Sequence, residues 1–317
     1  MIDSVPSRAE IDAAAERIAP HVRRTPVIEI DGAQLEIPDV RLVLKLELLQ
    51  HTGSFKPRGG FNHLISADVP RVGVVAASGG NHGLGVAYAA RQLGHRAEIF
   101  VPATAPAIKV RRLHELGAYV VQIGEVYDEA RQAAEQRAQE TGAVIVHAYD
   151  QRQIVAGAGT VSRELQQQTA DIDTILVSVG GGGLIGGTAA WLREEACVVA
   201  VEPECCPTLS SALVAGKPVD AEVGGLATDA LGASRIGDIG FDSASRWVNE
   251  SVLVPDASIR RAQWLLWNRL RLIAEPGGAT ALAGLVSGAF RPRSGERVAV
   301  LVCGGNTDPA VVAGLSG

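Results

Sequence analysis

Three segments of the chain carry residues whose types and spacing can do chemistry. In Ser178-Val-Gly-Gly-Gly-Gly-Leu-Ile-Gly-Gly187, four consecutive glycines follow an apolar run and open a helix-like one. Backbone N–H groups there can converge on an anion, and the helix dipole adds to the attraction. The G-K-[ST] ending of a P-loop is missing, and no acid closes the next strand early enough for a dinucleotide fingerprint, Glu202 coming nearest. A phosphate seat with neither lysine nor Mg²⁺ ligands suits a cofactor monophosphate. The second segment, His51-Thr-Gly-Ser-Phe-Lys-Pro-Arg-Gly-Gly60, sets Lys56 between Phe55 and Pro57. A lysine in partly apolar surroundings can lose basicity and act as a Schiff-base nucleophile, although most lysines, read alone, are solvated surface charges. The third is Ala76-Ala-Ser-Gly-Gly-Asn-His-Gly-Leu-Gly85. Free N–H groups at Ser78, Gly79 and Gly80 suit a carboxylate, and Asn81 can reach a phenolic or hydroxyl oxygen. His82 reads first as a satisfied helix-start histidine. Two further loops, Glu275-Pro-Gly-Gly-Ala-Thr280 and Val302-Cys-Gly-Gly-Asn-Thr-Asp308, have the same character. Cys303 is either a buried small hydrophobe or a pocket residue.

The elements that position these loops alternate. A capping box at Ser7 and Glu10 starts a first helix with Ile11, Ala14, Ala15 and Ile18 on its apolar face. Strand-like runs are expected at 41–47, 73–77, 97–101, 118–123, 143–147, 174–179, 197–201 and 297–302. Helix-like runs are expected near 82–93, 106–116, 126–140, 152–168, 184–195, 256–273 and 278–288, with a last helix from 308. Residues 200–250 read mostly as loops and short helices. This order implies an α/β protein with parallel-rich sheets covered on both faces. Each chemical loop then lies at the carboxyl end of a strand or the start of a helix, where α/β proteins bind ligands. The five loops hold 17 of the 36 glycines, so the glycine excess is concentrated where backbone has to approach something.

Composition narrows the functional class. The chain has 317 residues, 47% hydrophobic and 20% charged, which fits an enzyme-sized globular protein of about two domains. A net charge of −6 excludes the basic face of a nucleic-acid binder. None of Cys197, Cys205, Cys206 and Cys303 forms a C-x-x-C pair, so reduced thiols in a cytoplasmic protein are expected rather than zinc or a disulfide framework. The N-terminal residues lack the pattern of a signal peptide. Residues 174–192 are uncharged over a membrane-spanning length, but six central glycines make them a strand, loop and helix start.

Taken in this order, the five loops resemble the pyridoxal-phosphate (PLP) enzymes of fold type II. The nearest match is the serine/threonine dehydratase and serine racemase group, and it runs from Arg24-Thr-Pro26 through Asn306. The resemblance implies a tryptophan synthase β-like fold, with residues 1–66 and 148–317 as the large domain and 67–147 as a small inserted one. It implies that Lys56 holds PLP as a Schiff base, that Phe55 packs on its ring and that Asn81 meets the phenolic oxygen. Gly180, Gly181, Gly182, Gly183 and Leu184 would cradle the phosphate. Ser78, Gly79, Asn81 and His82 would bind the substrate carboxylate. Cys303 would face the pyridine nitrogen as a weak, neutral partner, favouring β-elimination over transamination, and Glu275 would sit close by. The implied activity is loss of water from L-threonine or L-serine, giving a 2-oxo acid and ammonia, in a homodimer.

Some residues depart from that pattern. Serine racemases carry a serine where Gly79 stands, so weak racemisation is expected. Relatives that bind a divalent cation pair a glutamate with a carboxylate six residues on. Here Glu202 is followed by Thr208, which leaves Glu202 as a cation ligand without its partner and suits a monovalent ion better. The chain ends at Gly317, soon after the last glycine loop, and no regulatory domain is expected. Two competing readings are a dehydratase of a related hydroxy amino acid such as 3-hydroxyaspartate, and a non-catalytic PLP-binding protein. The first would draw on Arg58 or Arg235 for a second carboxylate if these are not surface or structural residues.

Overall fold

The computed structural model describes residues 4–169 and 171–315. Its strands are β1 (Val27–Asp31), β2 (Arg41–Leu46), β3 (Val74–Ala77), β4 (Ala97–Val101), β5 (Tyr119–Gln122), β6 (Val144–Ile145), β7 (Thr174–Ser178), β8 (Cys197–Pro203), β9 (Glu250–Val254) and β10 (Arg297–Val302). They form a six-stranded sheet in the order β1-β2-β10-β7-β8-β9 and a four-stranded sheet in the order β5-β4-β3-β6. Among these strands β1 and β2 pair antiparallel, and every other pairing is parallel. The four-stranded sheet is built wholly from strands between residues 74 and 145. The central strands β7 and β10 are buried along nearly their whole length, as continuous apolar runs of parallel strands require.

Two strands were not expected from the sequence. β1 and β9 are the edges of the larger sheet, and exposed positions alternate with covered ones along both. The 200–250 region is also more regular than expected. It contains the end of β8, helices Thr208–Ala215 and Asp238–Trp247, and the start of β9. The expected strand at 143–147 shortens to Val144–Ile145. The first helix, Arg8–Ile18, has the full capping box, with Glu10 N donating to Ser7 Oγ and Ser7 N to Glu10 Oε2. Ile11, Ala14 and Ile18 are its buried face.

Glycine does more here than line loops. Helix Lys56–Ser66 crosses helix Arg152–Gln168 so closely that a Cβ on Gly157 would stand 2.6 Å from the Arg58 carbonyl. A Cβ on Gly85 would stand 3.1 Å from Cβ of Lys56. These contacts set the helix that begins at Lys56 against two others at backbone distance. The same helix is tied down by charge. The Arg58 guanidinium forks onto Glu47, at 2.8 Å to each carboxylate oxygen, and reaches Glu164 at 3.1 Å. Lys45 Nζ closes the group at 2.5 Å from Glu164. Arg58 is 1% exposed, and Glu47 and Lys45 are fully buried. The two carboxylates raise the Arg58 pKa still further and keep the guanidinium charged.

Candidate active site

Four strand ends converge. β2 leads into the Lys56 loop, β3 into Ser78–Asn81, β7 into the four glycines and β10 into Cys303. The loops are stitched together by backbone bonds: Phe55 N donates to Cys303 O at 3.1 Å, and Ser54 bridges Gly304. One cavity gathers Phe55, Lys56, Asn81, Gly180, Gly181, Gly182, Gly183, Leu184, Glu275 and Cys303. A second cavity, containing Gly79 and Lys109, shares Asn81 and Glu275 with it as a common wall. Ser178 lines the first cavity as well, while Ser78 and His82 line neither. The sequence reading missed Tyr149, Ala230 and Leu231, which also line the first cavity.

Lys56 Nζ donates to the Ala148 carbonyl at 2.8 Å and lies 5.2 Å from the Phe55 ring centroid. Burial of Nζ lowers its pKa to about 8, against the opposing pull of Cys303 and Glu275. That places a usable fraction of free amine near neutral pH. The Cys303 thiol is pushed up to about 12, mainly by burial, so it is neutral at physiological pH. Burial also raises Glu275 to about 7, and its Oε1 accepts a 2.6 Å bond from Asn81 Nδ2.

The glycine loop has no room for side chains. Gly182 has φ +95°, and a Cβ on Gly181 would lie 2.1 Å from the Tyr149 ring. Helix Gly183–Leu192 starts here, and the first-turn N–H groups of a helix have no intrahelical partner. An anion seat with these donors, facing a lysine of lowered basicity and an aromatic ring, fits a phosphorylated carbonyl cofactor.

Several expectations change on inspection. The His82 ring points into the core: Nε2 lies 2.9 Å from the Val146 carbonyl, and burial lowers its pKa to about 3. The ring is therefore neutral and donates to Val146, which leaves the backbone N–H of His82 for a ligand. Arg58 is saturated by Glu47 and Glu164 and is neither a surface residue nor a second-carboxylate binder. Arg235 is half-exposed and pairs loosely with Asp220 at 3.8 Å. The Glu202 carboxylate, expected as a cation ligand, is engaged by a helix start. Its Oε1 accepts from Leu209 N at 2.7 Å, and its Oε2 from Ser210 N and Oγ at 2.8 and 2.7 Å. These bonds cap helix Thr208–Ala215, with Thr208 Oγ1 between Glu202 and the Gly180 carbonyl. Among the described residues, no three His, Cys, Asp or Glu side chains group to hold a metal.

Residues 18–304 match the family of pyridoxal-phosphate dependent enzymes. The chain belongs to that family. The expected fold type II holds with it, and the cavity's donors suit PLP. Among similar proteins, L-threonine ammonia-lyase of Thermotoga maritima is 34% identical over 93% of this chain and 74% of its own length. Phenylserine dehydratase of Ralstonia pickettii is 36% identical over 98% of this chain and 96% of its own. Among solved structures, maize serine racemase superposes with a TM-score of 0.90 at 32% identity, covering 98% of this chain and 96% of that one. A threonine deaminase from T.th. superposes at 0.89 with 33% identity, covering 96% and 99%. No helix among the described residues is long and apolar enough to cross a membrane.

Proposed function

We propose that this PLP-dependent enzyme is an ammonia-lyase that removes water from L-threonine and L-serine, releasing 2-oxobutyrate or pyruvate and ammonia. The observation that carries the reading is the Lys56 amine, lowered to about 8 and facing the four-glycine loop across one cavity. The threonine ammonia-lyase and threonine deaminase relatives supply the substrate class. When bound, PLP supplies the electron sink that makes the α-proton of an amino acid acidic.

The residues of the chain do the rest. Lys56 Nζ would hold the cofactor, and the same amine, its pKa lowered to about 8, would serve as the base for the α-proton. Phe55 would pack on the ring. Backbone N–H groups of Gly180–Leu184 would hold the phosphate, and one amide hydrogen of Asn81 would reach the phenolic oxygen. The substrate carboxylate sits on backbone N–H groups at Ser78, Gly79, Asn81 and His82. Cys303, an uncharged thiol in the cavity wall, would face the pyridine nitrogen and offer it no negative charge. Glu275 braces Asn81. We read residues 67–147 as a small domain inserted in the larger one, because the four-stranded sheet is drawn wholly from that stretch. A homodimer in the cytoplasm completes the reading. The dimer rests on the resemblance, and the four unpaired cysteines support a reducing compartment.

A substrate panel tests the reading: L-threonine, L-serine, D-serine, 3-hydroxyaspartate and phenylserine, scored by release of 2-oxo acid. Fastest release from L-threonine or L-serine supports it. Preference for phenylserine or 3-hydroxyaspartate moves the enzyme to a sister substrate, and no release from any of them leaves a cofactor-binding protein. Light scattering at a monomer mass would remove the dimer.

A further inference from the structure

Asn306 closes the loop after Cys303 and stands behind Asn81 in the wall of the second cavity. Its Nδ2 lies 2.7 Å from the Thr52 carbonyl and 2.6 Å from Asn81 Oδ1. A backbone carbonyl only accepts, so the atom facing Thr52 has to be the amide nitrogen. The second hydrogen of that nitrogen points at Asn81, whose facing atom then has to be its oxygen. Asn81 Nδ2 is thereby turned to the other side, where one hydrogen goes to Glu275 Oε1 at 2.6 Å. Its other hydrogen is left for the cavity that holds Lys56 and Phe55. The polarity of this relay starts at Thr52, in a turn with φ +60°. The next residue is Gly53, where a Cβ would stand 2.7 Å from Asn306 Oδ1.

We propose that Asn306 is a positioning residue, which fixes the donor end of the Asn81 amide toward the Lys56-bound cofactor and so sets the protonation equilibrium of that cofactor. The inference rests on the reading that Lys56 holds PLP, but not on which amino acid is the substrate. A ring oxygen that receives a hydrogen bond from Asn81 holds its charged form more readily than one that faces a lone pair. Asn306→Asp keeps the shape and removes the donor. Asn81 then turns its nitrogen toward the new carboxylate and presents its oxygen to Glu275.

The test uses holoprotein without substrate and reads the visible absorption of the Lys56-bound cofactor against pH, with the cofactor dissociation constant from dialysis. For Asn306→Asp we expect the pH midpoint of the band to move by about one unit and the dissociation constant to rise at least about fivefold, the size of one buried hydrogen bond lost or reversed. The double variant Asn306→Asp/Glu275→Gln restores a donor to the turned Asn81 from the introduced amide, while the Thr52 carbonyl still lacks one. Its melting temperature should recover in part while its midpoint stays displaced, which a merely structural role would not produce. Should Asn306→Asp not fold, the double variant and Asn306→Ala carry the same readout. Parental midpoints in the folded variants would overturn the proposal. A parent protein with no Lys56-dependent band would instead overturn the reading of Lys56.

Discussion

Replacing Gly181 by alanine should loosen the cofactor through Tyr149 rather than through the glycine loop's own backbone. Gly182 needs its positive φ of 95°, but Gly181 has none, so the alanine there brings no backbone strain. It brings a collision. The new Cβ would stand 2.1 Å from Tyr149 Cδ1 and 2.3 Å from Cγ and Cε1. Ordinary carbon contacts lie at about 3.5–4.0 Å, so the ring has to retreat by roughly 1.5 Å. Its hydroxyl then gives up the 3.2 Å bond to the Arg235 carbonyl. The residue before it, Ala148, accepts from Lys56 Nζ, so the displacement reaches the reacting amine. Overpacking costs about 1–3 kcal/mol and the lost bond about 1 more. If this appears mainly in binding, the PLP dissociation constant should rise roughly 30- to 1000-fold. The assay is a double-mutant cycle of Gly181→Ala and Tyr149→Ala, with dissociation constants from dialysis and melting curves of each apoprotein. In the Tyr149→Ala background the alanine should be nearly harmless, giving a coupling of about 2–4 kcal/mol. Effects that add to within about 0.5 kcal/mol would refute the steric argument.

Other expectations follow from the same geometry. Arg58→Ala strips the cation that Glu47 shares with Glu164, leaving a fully buried carboxylate, and should cost about 3–5 kcal/mol. In a chain of this size that is a fall in melting temperature of roughly 4–8 °C, and a fall under about 2 °C would contradict the cluster's role. Glu275 has an ordinary value of 4.5 and is raised to about 7 in the fold. The folded apoprotein thus holds a proton there that the unfolded chain releases. Its contribution to stability is full below about 4.5 and is lost as pH rises through about 7, by about 3 kcal/mol. Glu275→Gln should flatten the melting temperature across that window, and an unchanged slope would count against it. At Gly79 a Cβ would meet only Val101 and Lys109 at 3.5 and 3.8 Å, so serine fits. Gly79→Ser should raise racemisation of L-serine relative to elimination, and chiral analysis of the remaining serine would show an unchanged ratio if the account of that position is mistaken.

What the sequence disclosed and what it hid divide along physical lines. The glycine loops were legible because a run such as Gly180–Gly183 has few structural uses without a ligand. Lys56, read alone, was most simply a solvated surface lysine, and only the five loops taken together pointed to it. The central strands were legible from their unbroken apolar runs. The edge strands β1 and β9 were not, since half of each faces solvent and Glu29, Asp31 and Glu250 interrupt the pattern. The burial of Arg58 depends on Glu47 and on Glu164, the second more than a hundred residues away, and no local signal announces such a pairing. Tyr149 was hidden for the same reason: its ring fills the space above Gly181, and that fit is visible only once both are placed. The direction of the Asn81 amide comes from Thr52 and Asn306, whose residue types carry no sign of it. The His82 ring is the satisfied helix-start histidine that its place suggested, with Nε2 on the Val146 carbonyl. At Glu202 a family pattern suggested a cation, and the start of helix Thr208–Ala215 engages that carboxylate.

The central claim is that Lys56 is the residue that carries the cofactor. Borohydride reduction of the PLP-loaded protein, followed by peptide mapping, tests it most directly. The account predicts one pyridoxyl adduct, on Lys56 in the peptide containing Ser54-Phe55-Lys56-Pro57, formed from the apoprotein with a pH midpoint about 8. An adduct on Lys45, Lys109 or Lys217, or none at all, would contradict it.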